Sequence, residues 1–198
     1  TGGLGNDTYI VENAGDVVTE SSDALNGGID LIQSSVTRTL GSYQENLVLS
    51  GTLVISGTGN GLANRITGNG AANVLTGLAG NDTLAGLAGV DTLIGGAGDD
   101  FYVIDLVPNG SGGFALQDFV QEAAGAGNDT LEVVASGVSF ASPFTVVLAS
   151  NFDNLLLYGI GAPGDVAWAL NGTGNALNNR IVGNAAANVL SGAAGNDT

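Results

Sequence analysis

The chain has no cysteine, no histidine, no methionine and no lysine. Without cysteine, no disulfide supports the fold. Without histidine, cysteine and methionine there is no soft ligand for zinc, copper or haem iron. The commonest general base is missing too, and with it the group that activates a serine nucleophile, so the expectation is a chain that is not an enzyme. Three bases, Arg38, Arg65 and Arg180, face 19 acids, and the net charge is -16. No basic patch can hold phosphate, which argues against nucleic acid and anionic lipid as partners. No apolar run reaches the roughly 18 residues that would read as a membrane span, so no membrane insertion is expected. The natural partner left is a cation.

What is abundant is glycine, 34 of 198 residues, alongside 44% hydrophobic residues and only 3 prolines. Glycine in a fixed period with this apolar content points to an ordered repeat. The segment GLAGNDTLAGLAGVDTLIGGAGDDFYV (77–103) is three nonapeptides of the form Gly-Gly-x-Gly-x-Asp-x-U-x, with U apolar. Positions four, six and eight are Gly80, Asp82 and Leu84, then Gly89, Asp91 and Leu93, then Gly98, Asp100 and Tyr102. Counting back in nines, 68–76 and 59–67 carry Asn73 and Asn64 at position six. Further copies are GGLGNDTYI (2–10) with Gly5 and Asp7, 11–19 with Asp16, LNGGIDLIQ (25–33) with Asp30, and 41–49 with Asn46 and Val48. GNDT recurs with Gly127 and Asp129 and with Gly195 and Asp197.

A longer repeat overlies the short one. Segment 57–83 returns almost unchanged as 172–198, ENLVLSG (45–51) returns as DNLLLYG (153–159), and DVVTE (16–20) returns as DFVQE (118–122). This divides the chain into a unit over 1–103 and a homologous unit over 104–198, with irregular insertions at 104–117 and 133–170. Both ends fall inside a nonapeptide, so further repeats are expected on either side.

The period dictates a geometry. Glycines at positions one, two and four allow tight turns with φ > 0. The turns direct carbonyl oxygens inward and Asp at position six adds a carboxylate. An all-oxygen donor set suits Ca²⁺ better than Mg²⁺, which demands octahedral geometry and keeps its waters. Position eight points into the core of a short strand. If the chain reverses at each turn, two nonapeptides make one coil, so Asp82 stacks on Asp100 with Asn64 before them, and Asp91 stacks on Asn73 at the opposite edge. Leu75, Leu84, Leu93 and Tyr102 then fill the space between two sheets. The stretches 34–40 and 144–150 have strand composition, and Trp168 and Phe140 are expected to cover an edge or fill a widened coil.

GGLGNDTYI, GLAGNDTLA, GLAGVDTLI and GGAGDDFYV resemble the repeats-in-toxin (RTX, haemolysin-type calcium-binding) family. The resemblance implies an all-β fold, a parallel β-roll or β-solenoid, with Ca²⁺ held by turn carbonyls and the position-six Asp. Carried over, the metal residues are Asp82, Asp91 and Asp100 with Gly80, Gly89 and Gly98, then Asp7, Asp129 and Asp197 with Gly5, Gly127 and Gly195, and finally Asp16 and Asp30. Asn46, Asn64, Asn73, Asn154, Asn179 and Asn188 depart from the pattern. A neutral amide is a poorer ligand, so these turns are expected to stack as metal-free Asn ladders. The resemblance also implies type I export and a place outside the cell or on a bacterial surface. It leads to a structural segment of an adhesin, filament, surface layer or matrix protein, able to self-associate. The alternative is the secretion and folding module of an exported toxin or hydrolase. Four N-x-[ST] sequons, at Asn6, Asn81, Asn128 and Asn196, belong to the N-D-T of the turn, which argues for turn residues over sugar acceptors.

Overall fold

The computed structural model of the chain describes residues 1–20, 27–108, 114–136, 143–160 and 169–198. Among these residues lie eighteen strands, numbered in chain order, and no helix. One face is a parallel sheet of β1 (Thr8–Val11), β2 (Leu31–Ser34), β4 (Asn46–Leu49), β6 (Arg65–Thr67), β8 (Thr83–Ala85), β10 (Phe101–Pro108), β13 (Thr130–Ser136), β15 (Asn154–Ile160) and β17 (Arg180–Val182), in that spatial order. The other face holds β3 (Arg38–Thr39), β5 (Gly57–Thr58), β7 (Val74–Ala79), β9 (Thr92–Ala97) and β12 (Phe119–Gln121). A third parallel set is formed by β14 (Phe144–Val147), β16 (Leu170–Thr173) and β18 (Leu190–Ser191). The chain is a parallel β-roll. The exception to the parallel pattern is β11 (Phe114–Leu116), which folds back antiparallel on the end of β10.

The pitch follows the nonapeptide. Thr83 pairs with Arg65 and Phe101 with Thr83, each eighteen residues on, while Thr92 pairs with Val74 across the roll. Parallel pairing at constant register stacks identical strand positions. Ile32, Leu47, Ile66, Leu84, Tyr102, Leu131, Leu155 and Ile181 therefore form one inward row. All but Ile181 are almost wholly buried. Each contributes about 1.5–3 kcal/mol by burial. Leu75 and Leu93 face them from the second sheet at 0% exposure. The four residues expected between the sheets are all there.

One expectation about the register changes. Nonapeptide counting put Asn46 and Val48 at positions six and eight, but Leu31 pairs with Asn46, so Leu47 and Leu49 are buried and Val48 is not. The residue in the position-six column is Glu45. The homologous segment behaves alike, because Thr130 pairs with Asn154 and Asp153 falls in the column. A one-residue slip exchanges the two faces of a strand, and burial of Leu47 and Leu155 decides the phase here. Strand β10 runs continuously through residues 103 and 104, where the sequence repeat was divided, and the sheet carries on across that point. Trp168 and Phe140 lie outside the described residues.

Candidate metal centre

Most position-six residues lie just before a strand of the first or second sheet, so parallel stacking brings these residues into columns along the two edges. Along the first edge the column runs Asp7, Asp30, Glu45, Asn64, Asp82, Asp100, Asp129, Asp153, Asn179, Asp197. Along the second it includes Asn73, Asp91 and Asp118. One rule links the coils wherever the next column residue is acidic: the backbone N–H of a column residue donates to the carboxylate of the next. Asn64 N–H reaches Asp82 Oδ1 at 2.7 Å, Asp82 reaches Asp100 Oδ1 at 2.8 Å, and Asp100 reaches Asp129 Oδ1 at 2.9 Å. On the other edge Asn73 reaches Asp91 Oδ1 at 2.7 Å and Asp91 reaches Asp118 Oδ1 at 3.0 Å. Asp7 and Asp30 are joined in the same way, with Asp30 N–H on Glu45 Oε2.

The ladder uses only one oxygen of each carboxylate. The second oxygen, Oδ2, of Asp7, Asp82, Asp91, Asp100, Asp118 and Asp129 is buried without a hydrogen-bond partner. A buried, unpaired carboxylate oxygen is costly unless a proton or a cation completes it. The raised pKa values of Asp82, Asp91, Asp100, Asp118 and Asp129 register that cost. Burial pushes Asp82 up to about 7, opposed in part by the Asn64 N–H and reinforced by the charge of Asp100. Burial likewise pushes Asp118 to about 7, and Asp91, Asp100 and Asp129 to about 6.

The turn glycines serve two different needs. Position four is left-handed: Gly80, Gly89 and Gly98 have φ of 106°, 128° and 130°. A Cβ on Gly89 would also stand 2.7 Å from the Ala71 carbonyl oxygen of the neighbouring coil. Position two is left-handed as well but accepts leucine, as Leu78 and Leu87 have φ of 86° and 65°. Position one is not left-handed. At Gly77 the constraint is space, since a Cβ would collide with Asp82 Oδ2 and approach the Gly95 carbonyl oxygen to 2.6 Å. The expectation that all three glycines supply φ > 0 is therefore corrected for position one, which is kept bare beside the carboxylate.

The asparagine turns are chemically complete. Asn64 accepts the Asn60 N–H at 2.8 Å through Oδ1, and its Nδ2 donates to the Gln44 and Glu45 carbonyls at 3.1 and 3.3 Å. Asn73 accepts from Asn69 and donates to the Ile55 carbonyl at 2.7 Å, and Asn179 repeats this with Asn175, Phe152 and Asp153. Asn188 donates to the Leu170 carbonyl. The amide supplies the donors that inward carbonyls require, where an Asp leaves them facing an unpaired oxygen. The second asparagine of each turn, at Asn60, Asn69 and Asn175, was not singled out in the sequence. Its four-residue spacing from Asn64, Asn73 and Asn179 is visible there.

Among the residues expected at the site, Asp7, Asp30, Asp82, Asp91, Asp100 and Asp129 are in the columns. Asp197 occupies the same position, accepting the Asn179 N–H at 2.8 Å, but is exposed. Gly5 and Gly195 are left-handed. Around Asp129 the turn is longer and its left-handed glycine is Gly125, not Gly127. Asp16 stands apart from the columns: it is exposed and its carboxylate caps its own turn on the Glu12 and Asn13 N–H groups. Asp118, its counterpart in the longer repeat, is buried in the second column and is not among the residues expected from the sequence.

A family model supplies the remaining observation. The RTX calcium-binding nonapeptide repeat matches residues 58–93, 67–102 and 173–198. The chain carries RTX calcium-binding repeats. No curated protein and no solved structure matches it. RTX repeats bind calcium, and the donor set fits that ion: hard oxygens only, offered by carboxylates whose second oxygen has no other partner. In this RTX roll the residues that would hold it are Asp82, Asp91, Asp100, Asp118 and Asp129, with Asp7 and Asp30 on the first coils. A bound ion would supply positive charge that ties adjacent coils together.

Proposed function

We propose that this segment is a non-catalytic, calcium-ordered strut of a large secreted or cell-surface protein, belonging to an adhesive, filamentous or matrix assembly. The observation that carries the reading is the row of buried, unpaired Oδ2 atoms placed between successive coils. In a medium poor in calcium these oxygens meet only each other's charge on a chain of net charge -16. The Asp-rich coils then lose order, which keeps the chain in a form that a type I exporter can thread. Calcium outside the cell completes the oxygens and locks the roll, so that binding free energy becomes folding free energy. The Asn coils at 59–76 and 174–191 need no ion and act as nuclei from which order spreads.

The test is circular dichroism and small-angle scattering of the 198-residue chain during calcium titration from excess chelator. The expected result is a gain of β signal and contraction to a rod, cooperative in calcium. A chain equally ordered and equally compact in chelator would refute the coupling. Electron microscopy in calcium then looks for end-to-end filaments or lattices.

A further inference from the structure

The carboxylate of Glu122 lies outside the position-six columns. Glu122 follows β12 and, by the register of Gln121 on Ile94, lies where the preceding coil has Gly95. That is position one, which Gly77 and Gly86 keep free of side chains in their turns. At Gly95 a Cβ would collide with both Asp100 Oδ2 and the Tyr102 hydroxyl. These two atoms therefore border the same small space. Glu122 is admitted because its turn is longer: Gly95 to Asp100 is six residues, Glu122 to Asp129 is eight. Its side chain is 9% exposed and accepts a hydrogen bond from the Tyr102 hydroxyl, which itself accepts the Gly95 N–H at 2.7 Å. Tyr102 is fixed in turn by burial and an edge-to-face contact with Phe152 at 5.3 Å. One carboxylate oxygen from each of Asp100, Glu122 and Asp129 lies within 4.8 Å of the others. Asp100 and Asp129 are 1% and 0% exposed, and each keeps an Oδ2 with no partner.

The arrangement occurs twice. Asp7, Glu20 and Asp30 form a second three-carboxylate group, with the Tyr9 hydroxyl donating to Glu20 and Asp7 Oδ2 unpaired. Gly2 matches Gly95, since a Cβ there would strike Asp7 Oδ2 and the Tyr9 hydroxyl. Both groups occur where tyrosine replaces leucine at position eight. A cleft of about 190 Å³, bordered by Ile94, Gly96, Gln121, Glu122 and Ala123, lies against Glu122.

We infer that Glu122, positioned by Tyr102, joins Asp100 and Asp129 in a three-carboxylate calcium site of higher charge than the ordinary turns, and that Glu20 with Tyr9, Asp7 and Asp30 builds its twin. Calcium affinity in oxygen sites rises with the number of charged ligands, so these two sites fill first and order their coils before the others. The inference rests on the calcium-binding reading of the repeats.

The test is calorimetric titration of the full 198-residue chain with CaCl₂, together with tyrosine-sensitised luminescence of added Tb³⁺. The wild-type chain shows a tight class of two ions ahead of a weaker class. Glu122→Gln weakens one ion of the tight class about tenfold or more, and Glu20→Gln with Glu122→Gln abolishes that class. Tyr102→Phe keeps the ring, frees Glu122 and weakens the same ion to a smaller extent. Asp82→Asn depletes only the weaker class. Normal β signal of Glu122→Gln in saturating CaCl₂ shows that the fold survives; should it not form, Tyr102→Phe carries the comparison. A wild-type chain with a single class, or a tight class untouched by Glu122→Gln and Tyr102→Phe, overturns the inference while leaving calcium binding intact. A wild-type chain that binds no calcium overturns the underlying reading as well.

Discussion

Asp82→Asn separates the cost of a carboxylate from its use. Burial lifts the Asp82 carboxyl from 3.8 to about 7. A carboxyl raised in this way binds its proton more tightly when folded than when unfolded. Its penalty on stability is absent below about 3.8, grows as pH rises through that interval and is complete above about 7. Each tenfold gain in proton affinity on folding corresponds to about 1.4 kcal/mol, so the ionised side chain costs the calcium-free roll about 2–4 kcal/mol at about pH 8. Asparagine removes that penalty, and its amide donates toward the Ala63 and Asn64 carbonyls as Asn64 does toward Gln44 and Glu45. In chelator at pH 8, Asp82→Asn is therefore expected to be more stable than wild type, with the gain falling to less than half at pH 5. In saturating calcium the order reverses, because one ligand is gone. Urea denaturation followed by circular dichroism, in chelator and in CaCl₂ at both pH values, reads all four numbers. If Asp82→Asn is the less stable chain in chelator at pH 8, the account of the unpaired Oδ2 is wrong.

Other outcomes follow from the same geometry. In chelator, lowering pH from 8 to 5 should restore β signal to the wild-type chain, since Asp82, Asp91, Asp100, Asp118 and Asp129 all regain protons between about 6 and 7; the same acidification in CaCl₂ should release calcium. Asn64→Asp should cost about 1–3 kcal/mol in chelator, because the Gln44 and Glu45 carbonyls lose their donor, and denaturation midpoints measure it. Gly77→Ala, placed beside Asp82 without a positive φ, should lower calcium affinity more than calcium-free stability, as calorimetry and denaturation together would reveal. Leu84→Ala should cost about 2–5 kcal/mol with calcium present or absent, because Leu84 is wholly buried in the inward row.

From the residues alone it was possible to read the parallel roll, its eighteen-residue coil between Asn64 and Asp100, the two edges of the turns and the filling by Leu75, Leu84, Leu93 and Tyr102. Consecutive nonapeptides without insertions repeat one local conformation, so counting positions is the same as counting turns. The asparagine turns could be separated from the aspartate turns for an equally local reason: an amide both donates and accepts, and a carboxylate only accepts. Beyond an insertion that equivalence ends. Whether Glu45 or Asn46 enters the column depends on which neighbour, Leu47 or Val48, is buried by parallel pairing with β2, and that is a property of the stack. Asp118 accepts the Asp91 N–H within the column, while the homologous Asp16 carboxylate accepts the Glu12 and Asn13 N–H groups of its own turn, a difference that pentapeptides of the same pattern do not reveal. Glu122 and Tyr102 are twenty residues apart, and only the closing of one full coil with a lengthened turn brings their side chains together at the same carboxylates.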